Sequence, residues 1–251
     1  MNRLTTLFAA AALAGSASLA IAQDIKIAHV YDKTGPLEAY AKQTQTGLMM
    51  GFEYATGGTM SVLGRKLVVI EKDGQFKPDV AKAALAAAYG DDKVDLAIGP
   101  TFSASALAML PVAEEYKKIL LVEPAVADSI TGEKWNRYIF RTGRSSMQDA
   151  ISNAAALAKP NTVIATLAQD YAFGRDGVKA FKEALAGSGA QVVHEEYAPV
   201  ATSDFTAPAE RLFNALKDKP GRKVIWIIWA GGGGNPFKIA ELNPGRFGIE
   251  I

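Results

Sequence analysis

Cysteine is absent from the 251 residues. That excludes disulfides, thiolate nucleophiles and every cysteine-ligated metal centre. Histidine is nearly absent: the chain has only two, His29 and His194. Each lies in or at the end of an apolar run, far from the other, with no third ligand beside it, so no metal cluster is implied. Both read as satisfied core or edge residues. An excess of one charge is also lacking. Lys and Arg total 27 against 26 Asp and Glu, a formal net charge of +1, with no block of like sign. A nucleic-acid partner would call for a basic excess. Beyond the first two dozen residues no run is long and apolar enough to span a bilayer. The chain has no G-x-S-x-G elbow and no paired carboxylates in a catalytic motif. The expectation is a protein that is not an enzyme and needs no cofactor.

What is present begins at the N-terminus. Residues 1–22 read MNRLTTLFAAAALAGSASLAIA. Arg3 supplies a positive start, residues 4–13 a short apolar stretch, and Ala20-Ile21-Ala22 a small-x-small site before Gln23. This pattern predicts a secretory signal peptide cleaved after Ala22. Gly15 and Ser16 interrupt the apolar run, which is too short for a membrane anchor. Cleavage would remove Arg3 and leave 26 basic and 26 acidic residues. The mature protein is expected in the periplasm, with no membrane insertion.

The remaining chain is 49% hydrophobic if counted with its leader, enough for one large or two medium domains. Short β-rich runs at 25–30 (IKIAHV), 66–71 (KLVVIE), 94–98 and 119–122 alternate with helical stretches at 37–54, 78–89 and 103–116. Pro78-Asp79 suits a helix start. Ser103 is placed as a helix N-cap. Residues 138–141 read as extended. The alternation then resumes: a helix from about 146 to 158, strands at 163–167, 191–194 and 224–229, and helices at 174–186 and 204–216, with Ser203 as a cap. Such alternation predicts parallel sheets covered on both faces. The fold class is α/β, two doubly wound lobes joined by a hinge near residues 142–146. The expected domains are 23–142 and 143–251.

Open parallel sheets bind ligands beyond the carboxyl ends of their strands. The loops there are small, polar or aromatic: 31–40, 99–105, 123–128, 169–174 and 230–235. Two lobes facing each other across these loops would make a cleft that closes on a small molecule. The loops offer Thr101, Phe102, Ser103, Val126, Tyr171 and Gly232 as candidate contacts. Ser103, at a helix start, either caps its own helix or joins the free backbone N–H groups in holding a carboxylate. Arg141 and Arg144 flank the hinge and either neutralise a ligand carboxylate or salt-bridge the crossover. Residues 231–234 (GGGG) lack the Lys-Ser/Thr of a phosphate loop and read as close backbone approach at a strand end. Trp226 and Trp229 read as core, with Trp229 the one able to reach the cleft.

The segments DIKIAHVYDKTGPLEAYA, VDLAIGPTFSASALAMLPVAEEYKKILLVEPAVADSIT, YIFRTGRSSMQDA, IATLAQDYAFGRDGVKAFKEAL and DFTAPAERLFNALK, in this order and spacing, resemble the leucine/isoleucine/valine-binding family of periplasmic proteins, type I solute-binding proteins. The resemblance spans residues 23–251. It implies a two-lobed clamp that captures a small carboxylate and delivers it to the membrane permease and ATPase of an ABC transporter. It places Tyr40 on an aromatic wall and Ser103 on the hydroxyl that holds the carboxylate. Ala125 falls on the residue whose carbonyl takes an amino group, and Phe173 on the aromatic lid. Ala127 stands where the amino-acid binders carry Thr, a lost partner worth on the order of 1–3 kcal/mol. Phe173 also lacks a hydroxyl. The chain is most similar to the branch that takes up aromatic acids such as hydroxycinnamates. The family chain continues past FGIE, so the resemblance implies a fragment with an incomplete second lobe. A ligand-sensing module of the same fold is the alternative.

Overall fold

The computed structural model describes residues 23–232 and 234–251; the expected signal peptide lies outside the described residues. Among the described residues ten strands and six α-helices follow one another. The first half is β1 (Ile25–Tyr31), α1 (Glu38–Ala55), β2 (Ser61–Val62), β3 (Arg65–Asp73), α2 (Pro78–Gly90), β4 (Leu96–Ile98), α3 (Ser103–Tyr116), β5 (Leu120–Val122) and β6 (Ile139–Arg141). The second is α4 (Ser146–Leu157), β7 (Thr162–Gln169), α5 (Ala172–Ala184), β8 (Gln191–Ala198), α6 (Thr206–Leu216), β9 (Arg222–Ile228) and β10 (Ile249–Glu250).

Two sheets result, in the order β2-β3-β1-β4-β5-β6 and β10-β9-β7-β8. All pairs are parallel except the β2-β3 edge. In the first sheet the chain goes from β1 out to β3 and then returns to the other side of β1 with β4. In the second it goes from β7 to β8 and returns to the other side of β7 with β9. Each sheet therefore has a switch point where neighbouring strand-end loops diverge, between β1 and β4 and between β7 and β9.

Side-chain alternation along β1 shows why the first sheet is held. Ala28 and Val30 enter the core formed with Leu85, Met109, Leu110 and Leu120 from α2, α3 and β5. His29 points to the other face, fully buried and stacked on Tyr31 at 4.1 Å between ring centroids. Among the described residues neither of its ring nitrogens has a hydrogen-bond partner, so it is a core histidine but not a satisfied one. The second sheet separates two cores. One holds Leu167, Leu212, Phe213 and Ile225 under α6; the other holds Ile164, Phe181 and Val224 under α4 and α5.

Two expected caps fall differently. Ser103 is the first residue of α3, and Phe102, extended, is its N-cap with no side-chain cap bond. The Phe102 N–H is already taken by the Asp32 carboxylate at 2.8 Å, which fixes the turn without a capping hydroxyl. α6 starts at Thr206, not after Ser203; Asp204 Oδ1 accepts from the Thr206 N–H at 2.9 Å. By contrast α4 has a full capping box between Ser145 and Gln148, which sets where the chain leaves the crossover and enters the second lobe.

Candidate ligand cleft

The carboxyl ends of the two sheets face one another, and a cavity of about 340 Å³ lies between them. That is within the usual size for a small-molecule site. Its first-lobe wall comes from both sides of the β1/β4 switch point and from the loop after β5: Leu37 and Tyr40, Thr101 and Ser103, then Pro124, Ala125 and Val126. Its second-lobe wall comes from the ends of β7 and β9: Tyr171 and Phe173 with Gly177 one turn later, and residues 226–230. Arg144, Ser146, Asp149 and Asn153 line the side nearest the crossover.

Asp32 organises the first-lobe loops. It is fully buried, and besides Phe102 it accepts from the Phe76 N–H at 3.0 Å. Burial, the largest influence, pushes its carboxyl above the usual value, and the backbone donors act against that. The turn it holds carries an aromatic series across the lobe boundary. Phe76 meets Phe102 at 3.9 Å, Phe102 meets Tyr171 at 4.7 Å, and Tyr171 meets Phe173 at 5.7 Å. Burial raises the Tyr171 hydroxyl above its ordinary pKa, and the nearby Asp32 and Tyr40 add to this; it stays a neutral phenol in the wall.

Trp226 in β9 and Trp229 just after its end are anchored from behind. Trp226 stacks on Phe181 at 3.6 Å, and Trp229 meets Phe205 edge-on at 5.2 Å. Both are therefore core residues that also present surface to the cavity, which the sequence allowed only for Trp229. Arg144 binds both oxygens of Asp149 at 2.7 and 2.8 Å, so it is a salt-bridged residue at the cavity edge. Arg141 turns away from the cavity. It donates to the Ala127 carbonyl at 2.9 Å and to Thr131 Oγ1.

Of the expected contacts, Tyr40, Thr101, Ser103, Ala125, Val126, Tyr171 and Phe173 meet in the cavity wall. Phe102, Ala127 and Gly232 do not. Phe102 is buried behind the wall between Phe76 and Tyr171. Ala127 is fully buried because Arg141 holds its carbonyl and its N–H donates to Ser103 Oγ at 3.4 Å. Gly232 has a left-handed φ of +97°, and a Cβ there would lie 2.5 Å from the Val200 carbonyl oxygen; its N–H donates to the Pro36 carbonyl across the lobes at 3.4 Å. The contacts missed by sequence reasoning had a partial signal. Ser146, Asp149 and Asn153 are spaced i, i+3 and i+7, one face of a helix, and Gly177 follows Phe173 by four.

The sequence matches the family described as periplasmic binding protein over residues 24–235. It is 29% identical over 236 residues to the leucine-, isoleucine-, valine-, threonine- and alanine-binding protein of Pseudomonas aeruginosa, covering 92% of this chain and 60% of that one. It is similar to a crystal structure of an ABC-type branched-chain amino acid transporter from Rhodopseudomonas palustris, at 70% identity, 90% and 61% coverage and a TM-score of 0.71. A solute-binding protein of an ABC transporter from Rhodopseudomonas palustris, in complex with 3,4-dihydroxybenzoic acid, is 31% identical, with 90% and 60% coverage and a TM-score of 0.77. The chain thus spans about 60% of the length of these relatives. Among the described residues no helix is long and apolar enough to cross a membrane, and no group of three or more His, Asp or Glu residues could hold a metal ion.

Proposed function

Because the chain belongs to the periplasmic binding protein family, we propose that it is the ligand-capturing part of an ABC importer and that its ligand is a small aromatic carboxylate. The observation that carries this is the composition of the wall between the two switch points. Tyr40, Tyr171, Phe173, Trp226 and Trp229 surround a space whose polar end is the start of α3 with Ser103. A flat ring fits between aromatic faces. The free N–H groups of the first turn of α3 favour an anion. Ala127 offers no hydroxyl, and its carbonyl already accepts from Arg141, so it gives a buried α-ammonium group no free acceptor. The relative that holds 3,4-dihydroxybenzoic acid supports the aromatic class. The relative described as a branched-chain amino acid transporter supports leucine-like ligands as the second reading.

In this reading residues 1–22 are removed on export, residues 23–142 and 143–251 form the two lobes, and the closed clamp hands its ligand to a permease and ATPase. Trp226 and Trp229 lie in the wall, so their fluorescence gives a direct assay. Titration with benzoate, 4-coumarate and 3,4-dihydroxybenzoate is expected to change the emission and raise the melting temperature. A ligand at a hundred times its Kd stabilises by about 2.7 kcal/mol. Leucine and phenylalanine are expected to act more weakly, and Ser103→Ala to weaken every carboxylate. No response to any of the five compounds would overturn the proposal; a response to leucine alone would replace it with the second reading.

A further inference from the structure

The loop after β5 makes polar contacts to α4 and α5 near the crossover, and these fall into two classes. The first class lies next to the covalent crossover. The Val126 carbonyl accepts from Ser146 N–H at 2.8 Å and from Ser146 Oγ at 3.1 Å, and Asp128 Oδ1 accepts from Met147 N–H at 3.1 Å. These residues sit at the start of α4, immediately after the crossover, where opening of the lobes moves atoms least. The second class is further out. Ser129 donates through its N–H at 2.9 Å and its Oγ at 2.7 Å to a single oxygen, Oδ2 of Asp176 on α5. Asp176 is 47 residues away in the chain and belongs to the second lobe.

We infer that Asp176 is the latch that holds the lobes shut over the ligand cavity. Two hydrogen bonds onto one carboxylate are charge-assisted and directional, and they can form only when α5 lies against the 3₁₀ turn Asp128–Ile130. Other contacts between the rims involve no charged group: the 3.4 Å bond from Gly232 to Pro36, the close approach of Gly231 to Pro36 and Leu37, the ring contact of Phe102 with Tyr171, and Ala172 packed against the first-lobe core. The latch is also wired to the ligand. Ala127, two residues before Ser129, donates to the cavity hydroxyl of Ser103, and its carbonyl is held by Arg141. Arg141 lies close enough to Asp128 and Asp176 for its charge to act on both. A carboxylate seated at Ser103 therefore steadies the strand of residues that presents Ser129 to Asp176.

The geometry stands by itself, but its purpose rests on the ligand-capture reading. The absence of cysteine makes a clean test possible: Glu53→Cys and Lys219→Cys place one dye on each lobe for energy transfer. Asp176→Ala is expected to shift the ligand-free distribution toward the open state. It is also expected to speed dissociation of 3,4-dihydroxybenzoate or 4-coumarate roughly ten- to hundredfold, the effect of losing one or two bonds to a charged group, with little change in association. Ser129→Ala should show a smaller effect, and the double variant should add almost nothing to Asp176→Ala. Unchanged energy transfer and unchanged dissociation in a folded Asp176→Ala protein would overturn the latch, as would additive effects of the two substitutions. If no probe binds the parent protein but Asp176→Ala still opens it, the ligand reading falls and the latch stands.

Discussion

His29 makes a sharp prediction about acid stability. The side chain is fully buried on β1, stacked face to face with Tyr31, and has no hydrogen-bond partner among the described residues. Burial lowers its pKa from 6.5 to about 4, and the carboxylate of Glu71 on the paired strand offsets only part of this. The sign follows directly. Between pH 6.5 and 4 the unfolded chain takes up a proton on this histidine and the folded chain does not. Stability is therefore full above pH 6.5 and is lost as pH falls through that window. At about 1.4 kcal/mol per pH unit, the lowering to about 4 corresponds to a loss of about 3 kcal/mol, a large share of the ~5–15 kcal/mol typical of a folded domain. His29→Phe keeps the stacking and removes the titration. Urea unfolding of both proteins at pH 7.5, 6.5, 5.5 and 4.5 measures the difference. The parent midpoint should fall by on the order of 1 M relative to the variant across this range. Any cost of the larger ring is a constant offset and leaves the slope untouched. Other groups with shifted values, such as Asp32, titrate in both proteins and cancel. Parallel pH profiles would refute the reasoning.

Asp32→Ala is expected to leave the N–H groups of Phe76 and Phe102 without their acceptor, lowering stability by roughly 2–4 kcal/mol in chemical denaturation and weakening ligand binding through the displaced α3 start. Gly174→Ala and Gly177→Ala should behave as opposites. A Cβ at 174 would lie 2.0 Å from the Gln169 carbonyl oxygen, whereas one at 177 meets only the Ile228 side chain, at 3.3 Å, which need give by only a few tenths of an ångström. The first should lose several degrees or more of melting temperature; the second should fold normally and bind large aromatic acids less well, because it lines the cavity. Arg211 holds the Glu196 carboxyl below its usual range through two hydrogen bonds. Arg211→Ala should remove stability that is present at neutral pH and lost as pH falls through the carboxylate range, so parent and variant should differ most in chemical denaturation at pH 7 and converge in acid, measured by circular dichroism.

The layer pattern was legible because local chemistry decides it. Pro78 at a helix start, the glycines after α1 and the β-branched runs 66–71 and 224–228 mark elements through propensities that act within a few residues. The loops at the strand ends were legible for the same reason, since a parallel sheet leaves only those loops to face a partner. Individual wall residues depend on contacts that no local pattern encodes. Ser103 loses its capping role because Asp32, 70 residues from Phe102, fixes the turn first. Ala127 leaves the wall because Arg141 pulls its carbonyl inward. Trp226 could be read only as core, because its second face becomes visible only when the end of β9 is set against the other lobe.

The two walls are built to different plans, and this bears on how the cleft selects. The second-lobe wall is stiff: Trp226 is backed by Phe181 and Trp229 by Phe205, and each backing residue belongs to a separate core. Interiors packed in this way resist small deformations. The first-lobe wall hangs on loops, and those loops are tied to buried polar anchors, Asp32 for the Phe102 turn and Arg141 for Ala127. Neither wall can reshape itself much without breaking an anchor. Fit must then come from the angle at which the lobes meet, which the crossover allows and the Ser129–Asp176 contact terminates. A ligand slightly too thick for the aromatic gap would prevent that contact from forming, so it would be released quickly even where its ring and carboxylate were well satisfied. Discrimination should accordingly appear in dissociation rates, while association, governed by the open cleft, stays similar across the ligand series.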